Sequence, residues 1–273
     1  MSLTIEVKYH DFEEKEKAAF QRAVNTWAKT LDSAVPVKVE AYWDVNLGGG
    51  LTAMCVPNGI INFGKGTKST WYTSPLADKL CGKDLQQEEA DMAVFFDSNF
   101  DWNASEGNPT KNQLDLESVA LHEMCHGFGF LGLFWVDPIS GNGSYGNDNL
   151  LGVIPEAVRG KINFIPKSLK NYPSAYGRNI VDGSFKYLTK LDCYTNGSSQ
   201  LGTVLKDGTA NFNLPTSTQY KVYTDNKFTP FTSIEHLDPK EFPRSLMRPS
   251  ISKGEFIRTV DEPVKEILKT LDW

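Results

Sequence analysis

His122 and His126 stand four residues apart in His122-Glu123-Met124-Cys125-His126, with Glu123 beside the first. At 3.6 residues per turn, positions four apart lie about 40° apart around a helix, so both imidazoles project from one face. Two neutral imidazoles placed this way can grip one Zn²⁺ at about 2.0–2.1 Å per bond. Glu123 then stands where it can take a proton from a water acidified by the ion, the arrangement of metal-assisted hydrolysis. The bland alternative is a chance spacing on an amphipathic surface helix. The sequence opposes it in three ways. His10, His122, His126 and His236 are the only histidines among 273 residues, and two of the four sit in this motif. Leu116, Val119, Ala120 and Leu121 make the preceding stretch apolar, as for a helix buried beneath a cleft. Gly127 and Gly129 follow at once, where the helix can end and turn sharply.

A catalytic zinc takes three protein ligands and keeps one position open for water. The compact pattern HExxHxxGxxH is met at Gly129 but fails at its last position, which is Gly132. The residues leave two sources for a third ligand. One is Glu156, in Pro155-Glu156-Ala157-Val158-Arg159. The other is His236, in Ser233-Ile234-Glu235-His236-Leu237-Asp238, with Leu246-Met247-Arg248-Pro249 beyond it.

With these segments assembled, the chain resembles the metzincin zinc peptidases, and within them leishmanolysin and related secreted bacterial zinc peptidases. The shared features are HExxHxxG, a third histidine beyond a long insertion, and a Met-turn. The likeness covers residues 92–132 and 231–273, extends more weakly over 10–91, and is loose between 133 and 234. It implies His122, His126 and His236 as zinc ligands, Glu123 as general base, and Met247 as an apolar floor under the metal. Gly129 would let the chain cross from an upper to a lower lobe. The implied activity is that of a zinc metalloendopeptidase, a hydrolase acting on a peptide or protein that pairs with an upper-lobe edge strand. The implied location is extracellular or in the cell envelope, although Met1-Ser2-Leu3-Thr4 carries no apolar signal segment. Some metzincins place a metal-reaching tyrosine where this chain has Pro249, so that device is excluded here. Asp238 offers an acceptor for the His236 ring or a cap for a turn, and Cys125 is expected to face away from zinc. Two rivals remain: a catalytically silent, zinc-stabilised binding or adhesion module, and a gluzincin-type peptidase using Glu156.

Positioning these residues falls to an α+β fold, read as one catalytic domain over 1–273. An upper lobe (4–130) would hold a twisted sheet, a backing helix and the active-site helix. A lower lobe (131–273) would hold the insertion 133–234, His236, the Met-turn and a last helix. A helix is predicted from Asp11 to Leu31, with Asp11 as cap and Glu14 as its capping-box partner. Val37, Val39, Ala41 and Trp43 alternate with polar neighbours as a half-buried strand. Further strands are expected at Leu51–Val56, Gly59–Phe63, Met92–Phe96, Phe185–Leu191 and Gln219–Tyr223. Further helices are expected from near Asp115, near Pro155–Ile162 and over Asp261–Leu271. Trp71 and Tyr72 are mostly core by type but can line a substrate edge. The Asn/Gly/Asp-rich stretch Asn142–Asn149 can offer oxygens to Ca²⁺, though it lacks the EF-hand pattern.

Composition narrows the remaining classes. Acidic residues outnumber basic ones, 34 to 28, for a net charge of −6, and no Lys/Arg block suggests a nucleic-acid partner. No apolar run approaches the roughly 20 residues of a transmembrane helix. The cysteines, Cys55, Cys81, Cys125 and Cys193, make no CxxC pair; a Cys55–Cys81 disulfide and buried free thiols both remain open. A monomer is assumed.

Overall fold

Alternating side chains set the first strand of a mixed α+β structure, a computed structural model that describes residues 2–273. In β1 (Ile5–His10), Ile5, Val7 and Tyr9 interleave with charged residues. Helix α1 (Glu14–Thr30) follows and buries Ala19, Phe20, Ala23, Val24 and Trp27 on one face. Then come β2 (Val37–Tyr42), β3 (Ala53–Pro57), the short β4 (Gly59–Ile60) and β5 (Tyr72–Thr73), α2 (Ser74–Cys81) and β6 (Met92–Phe96). The short pair β7 (Trp102–Asn103) and β8 (Leu114–Asp115) leads into α3 (Leu116–Gly127).

The main sheet has the order β1-β2-β6-β3. β1, β2 and β6 run parallel, and β3 closes one edge antiparallel, with Cys55 opposite Val94. Every residue of β6 is buried, as its unbroken apolar text requires of a strand covered on both faces. One face of the sheet, carrying Val39, Met92, Val94 and Cys55, packs with α1 and α3 in a core that also includes Leu3 and Leu271. Trp27 ties the two helices, its Nε1–H donating to the Leu121 carbonyl at 3.0 Å. The other face, carrying Tyr42, Val56 and Phe95, is covered by Ile154 and Val158.

The free edge of β3 follows from its pairing. Asp97 N–H bonds Thr52 O and Asn58 N–H bonds Asp91 O, so even-numbered positions face β6. Ala53 and Cys55 therefore turn their backbone groups outward.

Residues beyond α3 form small elements. Phe134–Val136 pairs with Gly143–Tyr145, and Ile180–Val181, Asn211–Asn213 and Gln219–Lys221 form a three-stranded sheet. The last helix, Glu262–Thr270, buries Val264, Ile267 and Leu268. No helix among the described residues is long and apolar enough to cross a membrane.

Several local expectations are corrected. Asp11 is not a helix cap: it takes a left-handed conformation (φ 61°) to turn the chain out of β1, and α1 begins at Glu14 without a side-chain cap. β3 starts at Ala53, because Gly48, Gly49 and Gly50 all hold positive φ and carry the loop up to it. Only Gly59–Ile60 of the 59–63 stretch is strand. Phe185–Leu191 is not a strand. Asp182 Oδ1 accepts the N–H groups of Ser184 (2.7 Å) and Lys186 (2.9 Å), folding that segment into a turn. The helix near residue 155 shrinks to one turn, Glu156–Arg159. Of the two cysteine states left open, the structure has the free thiols: all four cysteines are unbridged.

Candidate metal centre

α3 is fixed at its start by charge. The Asp115 carboxylate caps it, accepting from Ser118 N–H (3.1 Å) and Ser118 Oγ–H (2.6 Å). Arg258 donates to both Asp115 oxygens, at 3.0 and 2.5 Å. Burial would raise this carboxyl, yet the hydrogen bonds from Arg258, Ser118 and Asn103 hold it below the usual range.

The helix ends where the histidines need it to. Gly129 adopts φ +119°, a conformation side chains rarely take, and the chain reverses. That reversal brings the Phe130 carbonyl back to His126 Nδ1, at 2.7 Å. His122 Nδ1 meets the Leu246 carbonyl at 2.8 Å, and His236 Nδ1 meets the Thr232 carbonyl at 2.8 Å. A carbonyl only accepts, so each Nδ1 carries the proton and each Nε2 presents a lone pair.

Those three lone pairs converge. His122 Nε2 lies 3.3 Å from His126 Nε2 and 3.2 Å from His236 Nε2. Neither contact can be a hydrogen bond when both nitrogens lack a proton. Ligands on a tetrahedral ion at about 2.0–2.1 Å stand about 3.3–3.4 Å apart, which matches this spacing. Among the described residues, this triad is the one group of three or more His, Cys, Asp or Glu side chains within metal-binding reach of one another. Burial pushes all three imidazoles down, His126 to about 3, so they are neutral and available as ligands at physiological pH.

Glu123 lines the same cavity, of about 450 Å³, as the three histidines. Burial pushes its carboxyl up to about 8, against the pull of a hydrogen bond from the Cys55 backbone on β3. Trp71 and Tyr72 line the cavity as well. Met247 is fully buried, and its carbonyl accepts the Leu237 N–H at 2.7 Å, tying the turn to the residue after His236. Cys125 is fully buried, lies outside the triad, and burial keeps its thiol protonated.

Two sequence candidates fall elsewhere. Glu156 is exposed on its single-turn helix and is not part of the histidine group. Asp238 does not hold the His236 ring; its Oδ1 accepts the Lys240 N–H at 2.8 Å and caps a turn, while the ring is held by Thr232 O. In the Asn142–Asn149 stretch, Asn147 Nδ2 donates to Ser144 Oγ at 3.0 Å and Gly143–Tyr145 is strand.

Two supports have no motif to announce them. Asp261 Oδ2 accepts the Leu246 N–H at 2.7 Å, so the last helix's cap residue positions the carbonyl that orients His122. Glu235, also buried, accepts the Leu133 N–H at 3.2 Å and pins the chain after Gly129 to the His236 segment. Its adjacency to His236 was the available signal. Comparison of the chain with family models, curated proteins and solved structures finds no match.

Proposed function

We propose that this protein is a zinc-dependent endopeptidase of the metzincin type, working outside the cytoplasm on extended peptide segments. The observation that carries this reading is the convergence of three neutral, orientation-locked Nε2 atoms beside a half-buried glutamate in one cavity. His122, His126 and His236 would hold the ion. Bound there, zinc supplies Lewis acidity, bringing the pKa of water towards 7 and polarising a carbonyl oxygen.

The chain's own residues do the rest. With a cation held by the three histidines, the nearby positive charge would favour the ionised carboxylate, and Glu123 then takes the proton from the attacking water and delivers it to the departing amine. The Cys55 N–H, turned towards Glu123, favours the ionised form of that carboxyl. With this group engaged, β3 offers a substrate the N–H and C=O of Ala53 and the C=O of Cys55, and the substrate lies along it as an added strand. Pro57 has no N–H to offer, which bounds the pairing at that end. Met247 serves as the apolar floor.

Mass-spectrometric cleavage profiling of a diverse peptide library, beside a Glu123→Ala control, tests the reading. The expected result is cleavage by the zinc-loaded protein, reduced about 10²–10⁴-fold in the variant, the usual worth of a general acid–base group. Loss of all cleavage in the zinc-loaded wild type would make a zinc-stabilised binding module the better account.

A further inference from the structure

The stretch from Asp148 to Leu169, a strap, leaves the small elements beyond α3, reaches the far face of the sheet and returns. Its neck is closed by Asp148 Oδ1, which accepts the Leu169 N–H at 2.6 Å and the Ser168 hydroxyl at 3.1 Å. Asn171 N–H bonds Gly146 O at 2.9 Å just outside it. Trp71 Nε1–H donates to Leu169 O at 2.8 Å and fixes the returning leg.

The far end is latched as firmly. Ile154 and Val158, 7% and 0% exposed, pack with Tyr42, Val56 and Phe95 on the sheet face opposite α3. The Tyr42 hydroxyl, whose proton goes to Glu40, lies 3.2 Å from Lys161 O. Between neck and latch, both legs line the cavity that holds Glu123 and the triad, and β3 lines it from the other side. Among the described residues, no backbone hydrogen bond joins this segment to β3. The edge is spanned but left unpaired. Leu51 beside β3 and Val153 on the strap, both markedly exposed for large apolar residues, also line it.

A chain that pairs with β3 must therefore lie between the edge and the strap. It reaches that place by entering end first, or by unlatching Ile154 and Val158 into water, which the hydrophobic effect opposes. We propose that the strap makes the site selective for linear, unstructured peptides rich in apolar side chains and excludes polypeptide loops that have no free end. The inference rests on the peptidase reading and specifies its substrate class.

The test uses one apolar, internally quenched peptide in two forms, linear and head-to-tail cyclised, given to the zinc-loaded full-length protein. The linear form is expected to be cleaved faster by about tenfold or more, the scale on which gating elements alter turnover. Val158→Ala and Val158→Asp, which loosen the latch away from the site, are expected to narrow that ratio. A ratio taken within one preparation does not depend on the fraction of protein folded. Equal cleavage of both forms by wild type overturns the strap's role and leaves the peptidase reading intact. Cleavage of neither form overturns both.

Discussion

At each imidazole a backbone carbonyl fixes the tautomer, and the three carbonyls belong to Phe130, Thr232 and Leu246. Such partners orient a ligand and raise its basicity, and losing one typically costs 10–100-fold in metal affinity. Because Asp261 accepts the Leu246 N–H and so fixes the residue whose carbonyl meets His122, Asp261→Ala is expected to weaken zinc binding by about tenfold or more, although Asp261 is no ligand. A competition titration against a chromophoric chelator reads this directly. In the same assay His236→Ala abolishes tight binding and Glu156→Ala leaves it unchanged; the reverse pattern would move the third ligand. His122, Glu123 and His126 were legible in the sequence because helical periodicity alone brings them to one face. His236 needed the Met247 segment beside it to be singled out. Asp261 and Glu235 were not legible as supports, since each acts through a backbone group whose position only the folded chain defines.

Among the elements, α3 depends most on a charge brought from far along the chain. Asp115 is fully buried, and Arg258 answers it from the segment before the last helix. Breaking a buried pair from one side strands the other charge, so Arg258→Ala is expected to destabilise the fold by about 3 kcal/mol at pH 7. The pH dependence follows from the Asp115 carboxyl being held below its unfolded value. Its contribution is present above about pH 4 and is lost as pH falls through the folded-state value. Urea unfolding at pH 7 and at pH 3 should show the variant's deficit shrinking in acid; a constant deficit would place the stabilisation elsewhere. α1, β2 and α3 could be read from periodicity, and β6 from its unbroken apolar run. α2 could not, though Pro75 near its start and Gly82 in the left-handed region at its end are ordinary stop and start signals. An eight-residue helix is too short for its apolar face to stand out. Asp11 and Phe185 misled for one reason: a turn that needed a left-handed residue outranked local propensity.

Taken whole, the chain closes on its histidine triad from segments far apart in sequence. His122 and His126 ride on the helix beneath the sheet, while His236 arrives after the long irregular stretch that also supplies the strap. An unfolded chain holds no such convergent site, so metal binding must favour the folded state and stiffen the irregular half against the sheet. Free zinc at about a thousand times its Kd contributes about 4 kcal/mol, or on the order of 10 °C in Tm for a chain of this size. Thermal unfolding of chelator-stripped protein with and without added zinc is therefore expected to show a shift of that order, and His236→Ala should lose most of it. The Glu123→Ala variant separates structure from chemistry: its ligands are intact, so it should keep the full shift while losing cleavage. If zinc left the wild-type transition unmoved, the lone-pair convergence would have to be a packing arrangement of neutral imidazoles. The His122 lone pair facing those of His126 and His236 at 3.3 and 3.2 Å makes that the costlier arrangement.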